Sequence, residues 1–224
     1  MNLQLFTNLI AEYRFFIGKR EESDWQQPWK SVEVFTYHWD IEARDFATMY
    51  DDSFAGDNYL WEDDDFHPKV SMLHYAKQNP DLIRSLFIDL YDEGRDIVGR
   101  IHRFIDQCDQ LRTYHSKGIT KREAHYHADR RMVFVYLAFR YPEKYTLYEE
   151  LGFRKLLERV NAKSLGSTIV IERYIKTSRT IDTLMRRDET LIHGINKALL
   201  KNSVEDQRNV LHVSDFYRFV DTLA

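Results

Sequence analysis

Six apolar residues, Ile97, Ile101, Phe104, Ile105, Cys108 and Leu111, recur at intervals of three and four. They line one side of a helix about four turns long. Such a stripe must be covered by other elements, so the rest of the chain has to supply a matching set of apolar faces. With only 8 Gly and 4 Pro in 224 residues there are few places for tight turns, which favours long helices over many short strands. The expected fold is therefore mainly α: a multi-helix, bundle-like globular domain with a smaller C-terminal helical subdomain.

Other segments repeat the pattern. Leu3, Phe6, Leu9, Ile10, Tyr13, Phe16 and Ile17 predict a first helix over Leu3–Ile17, with Gly18 as its stop. Val32, Phe35 and Trp39 predict a second, short one, and Phe46, Met49 and Tyr50 a third. Asn79 and Pro80 form an N-cap and first-turn pair ahead of Leu82, Leu86, Phe87 and Leu90. The stretch 121–139 reads as a long helix. Val133, Phe134, Val135 and Tyr136 also fit a strand, and length decides for helix. Pro142 lacks an N–H and restricts its predecessor, so that helix should stop near Tyr141, with Tyr141, Tyr145 and Tyr148 packing between helices. Further helices are expected over 148–160, over 171–199, and from about Ser214, with Ser or Asp as cap. Ala162–Ser167 is the candidate hinge, dividing an N-terminal helical domain (1–161) from a C-terminal helical segment (168–224).

Hydrophobic and charged contents of 43% and 30% suit a folded soluble protein. The single cysteine, Cys108, lies on the apolar stripe and reads as a core residue in a reducing cytosol. No apolar run approaches the roughly 18 residues needed to span a membrane. Residues 1–10 lack a basic start and a small-residue cleavage site, so no secretory leader and a cytoplasmic location are expected. Net charge is −4, but it is segregated. Glu33–Asp65 holds eleven acidic residues and one basic; Arg154–Arg187 holds nine basic and three acidic. Such asymmetry can orient a molecule against a polyanion.

Catalytic motifs are weak or missing. No Gly-x-x-x-x-Gly-Lys-Ser/Thr loop is present to cradle phosphates, and no Glu-x-Lys pair of the metal-dependent nuclease kind. Glu62, Asp63, Asp64 and Asp65 with His67 read as a solvated acidic loop rather than a metal site. His125 and His127, two apart, face different sides of a helix and share a metal only on a strand. No cofactor and no metal are expected. Arg187 and His193, with five residues between them, resemble on one helix the catalytic pair of HEPN-type metal-independent ribonucleases.

Four segments together resemble the region ahead of the motor in one branch of McrB-type AAA+ NTPases, the motor subunits of modification-dependent restriction systems. They are Trp29-Lys-Ser-Val32 with Phe35 and Trp39-Asp40; Pro80 to Glu93, followed by Arg100-Ile-His-Arg-Phe104; the helix running into Phe139-Arg-Tyr-Pro142-Glu-Lys-Tyr145 and Tyr148; and Leu211-His-Val-Ser-Asp215-Phe-Tyr217. The resemblance runs from about Trp29 to the end of the chain. It implies a non-enzymatic target-recognition module for DNA, with modified DNA included. Its partners would be an AAA+ motor in cis or trans and a McrC-like nuclease subunit; no membrane is involved. A protein-interaction or phage-sensing module is the second class, and the HEPN-like ribonuclease the third.

For DNA, the candidate contacts are Arg112, Tyr114, His115, Lys117, Lys121, Arg122, Tyr126, Arg130 and Arg131 in one stretch, and Arg173, Lys176 and Arg179 in the second. Cations supply the sequence-independent attraction to phosphate, and aromatics can stack on a flipped base. Tyr114, His115 and Tyr126 are the candidates for such a pocket, and the two stretches are expected to share a face.

Overall fold

The computed structural model describes residues 2–20, 26–55, 68–115, 130–162, 166, 168–200 and 209–223. Among the described residues there are eleven helices and no strand. The chain divides into two compact units, one made of Met1–Gln26 with Tyr141–Ala224, the other of Gln27–Arg140. The division thus falls elsewhere than at the hinge expected at 162–167, because the N-terminal helix belongs with the C-terminal segment.

The second unit holds α2 (Gln27–His38), α3 (Phe46–Ser53), α4 (Pro68–Gln78), α5 (Pro80–Tyr91), α6 (Ile97–His115) and α7 (Arg131–Arg140). Its core is aromatic. Phe87 meets Tyr136 edge-on at 4.9 Å and Phe104 at 5.4 Å, while Trp39, just past the end of α2, stacks on Phe35 at 4.8 Å. The Tyr50 and Tyr136 hydroxyls, both buried, hydrogen-bond to each other at 2.8 Å. Eight successive residues of α7, Met132 to Phe139, are buried. A helix enclosed on all sides needs no polar face, which is why its sequence shows no helical period and reads equally as strand. α5 begins as expected: the Asn79 side chain accepts from Leu82 N and Pro80 occupies the first turn. Arg100, 1% exposed, donates to the Leu90 carbonyl at the end of α5 and to Glu93 Oε1, both at 2.7 Å. It thereby satisfies one of the carbonyls that a helix C-terminus leaves open. Cys108 is buried as expected, and burial pushes its thiol well above the usual range.

The first unit holds α1 (Leu3–Lys19), α8 (Glu150–Arg159), α9 (Ile171–Met185), α10 (Glu189–Leu200) and α11 (Leu211–Thr222). α1 runs through Gly18, the expected stop, for one residue more. α11 lies at the centre, with Leu211 to Tyr217, Phe219 and Val220 all buried. α8 lies so close that a Cβ on Gly152 would sit 2.0 Å from the Tyr217 carbonyl oxygen. Only glycine allows that approach. Phe6 and Tyr13 of α1 pack on Phe216 at 5.9 and 5.2 Å. Tyr174 of α9 contacts Tyr148 and Phe153, each at 4.9 Å.

The start of α11 corrects the sequence reading. Ser214 and Asp215 are not its cap; the helix begins three residues earlier, at Leu211. Its free amides find acceptors elsewhere: Leu211 N donates to Asn209 Oδ1 at 3.1 Å, and Ser214 N to Thr146 Oγ1 at 3.0 Å. The Pro142 segment behaves as expected. α7 stops at Arg140, and Tyr145 and Tyr148 are buried, with Tyr141 half-buried. No helix among the described residues is long and apolar enough to cross a membrane.

Candidate nucleic-acid interface

Three of the twelve candidate residues, Arg112, Tyr114 and His115, lie in the last turn of α6. Arg112, 40% exposed, lies 3.3 Å from Asp109, one turn back on the same helix. Tyr114 is 87% exposed, and His115 is the last residue of the helix. Lys117, Lys121, Arg122 and Tyr126 lie outside the described residues, as do His125, His127 and the acidic cluster Glu62–Asp65 with His67. Arg130 takes the left-handed conformation, φ 73°, immediately before α7, and its carbonyl accepts from Phe134 N. Arg131 is the first residue of α7. These residues belong to the second unit, and the other basic stretch to the first.

In the first unit several cations have carboxylate partners. Arg154 pairs with Glu150 at 2.8 Å, Lys155 with Asp221 at 2.9 Å, Arg186 with Asp182 at 2.8 Å and Arg218 with Glu149 at 2.6 Å. Glu149 is held above the usual carboxylate range because it is buried, an effect that Arg218 only partly offsets. Asp182 shows the opposite balance. Burial raises it, but His212, with Nε2 at 2.9 Å, and Arg186 together bring it below its ordinary value. Arg20 sits on Asp215 at 2.8 Å.

α9 is different. Its inner face is Ile171, Tyr174, Ile175, Ser178, Ile181 and Met185, packed on α11. Its outer face carries Arg173, half-buried, and Glu172, Lys176, Arg179, Thr180 and Thr183, all exposed; Arg187 follows in the turn beyond. Among the described residues, Lys176, Arg179 and Arg187 have no carboxylate at ion-pair distance. Arg179 instead lies over the Tyr145 ring at 5.5 Å and points Nε at the Lys144 carbonyl, 3.5 Å away. Lys144 lies over the Tyr141 ring at 5.0 Å. Thus Arg173, Lys176 and Arg179 do share a surface. Lys144, which has Glu143 at 4.0 Å, and Tyr141 adjoin Arg179 there without having been singled out as contacts.

Arg187 and His193 do not share a helix. The turn that closes α9 carries Arg187, Asp188 accepts from Leu191 N at 2.9 Å, and the exposed His193 lies on α10. Among the described residues no group of three His, Cys, Asp or Glu is placed to hold a metal. Compared with known proteins, the chain matches no family model, no curated protein and no solved structure.

Proposed function

We propose that this chain is a non-enzymatic recognition module for DNA, of the kind that precedes the motor in McrB-like restriction systems. It would dock on the target and leave the chemistry to a motor and its nuclease subunit. The observation that carries the reading is the sorting of charge in the first unit. Arg154, Lys155, Arg186 and Arg218 are paired with carboxylates, whereas Lys176 and Arg179 on the outer face of α9, and Arg187 in the turn beyond it, are exposed with no carboxylate at ion-pair distance among the described residues. Unpaired cations in a row suit a polyanion, whose condensed counterions they release on binding. Lys144 lies over the Tyr141 ring and Arg179 over the Tyr145 ring, within cation–π range.

The test is a gel shift with the full chain on duplex DNA at low salt. Lys176→Glu with Arg179→Glu should weaken binding across all sequences, since phosphate contacts carry no base information. Lys121→Glu with Arg122→Glu probes the other stretch. If wild-type protein leaves both methylated and unmethylated duplexes unshifted, the protein-interaction reading replaces this one.

A further inference from the structure

We draw no further inference here: the strongest candidate, the cleft between α5 and α6 lined by Leu82, Leu86 and Phe104, has its rim residues Arg95 and Arg103 already bonded to Asp89, and nothing in the structure shows what covers it.

Discussion

The Tyr13 hydroxyl donates to Asp215 Oδ2 at 2.5 Å, joining α1 to α11 across 202 residues of sequence. Arg20 Nη1 completes the site, at 2.9 and 2.8 Å from the two carboxylate oxygens. Asp215 is 4% exposed, so its charge is tolerated only because both oxygens are satisfied. Burial, followed by the neighbouring Asp215 carboxylate, pushes Tyr13 well above the usual phenol range, which keeps the hydroxyl protonated as donor. Asp215→Ala leaves Arg20 and Tyr13 without their acceptor and should cost about 3–5 kcal/mol. Tyr13→Phe removes one donor and should cost about 1–3 kcal/mol. Urea unfolding of each variant measures both. Equal, small losses would mean that water replaces the network.

Gly152→Ala should be among the most damaging single-methyl changes in the protein. The new Cβ would meet the Tyr217 backbone carbonyl, which cannot rotate away as a side chain can. α8 and α11 must separate, at an expected cost of about 2–3 kcal/mol or more. Thermal unfolding tests this, and a Tm within a degree or two of wild type would contradict the packing described.

Tyr145→Ala should lower stability by about 3 kcal/mol or more, because the ring is 3% exposed. The same change removes the ring beneath Arg179. Tyr145→Phe keeps that ring and should bind DNA as wild type does. Unchanged stability in the alanine variant, with binding lost, would make this segment a pure contact surface.

The Asp182–His212–Arg186 cluster gives a pH signature. Asp182 titrates below its unfolded value, so it binds fewer protons in the folded state there and contributes stability above the unfolded carboxylate pKa. That contribution is lost as pH falls through the folded value. Asp182→Asn should lower stability at pH 6 and narrow the difference from wild type as pH falls below about 4. Parallel stability curves between pH 6 and pH 3 would show that the carboxylate's charge has no part in holding α9 to α11.

Much of the helical pattern was legible because it is local. The Asn79–Pro80 start, the stripe from Ile97 to Leu111 and the stop before Pro142 each depend on residues within a turn or two. α4 left little trace, since its buried face is Pro68, Ser71, Met72, Tyr75 and Ala76, in which only Met72 and Tyr75 are large apolar residues. The start of α11 was hidden because one of its caps, Thr146, comes from 68 positions away. The charged face was half legible. The pairs Glu150–Arg154 and Asp182–Arg186 lie four residues apart and can be read from spacing, but Asp221, which neutralises Lys155, lies 66 positions away. The grouping of α1 with α8 to α11 depends on contacts such as Tyr13–Asp215, which no local pattern announces.

The most direct measurement of the central claim is the salt dependence of DNA affinity. If this face docks on DNA as proposed, Lys176, Arg179 and Arg187 would supply three phosphate contacts, with Arg173 a fourth. The log of the association constant should then fall linearly with log salt, at a slope of about −3 to −4. Lys176→Glu with Arg179→Glu should flatten that slope by about 2 or more. A slope near zero in the wild-type protein, or one that the double variant leaves unchanged, would contradict the assignment of this face to DNA.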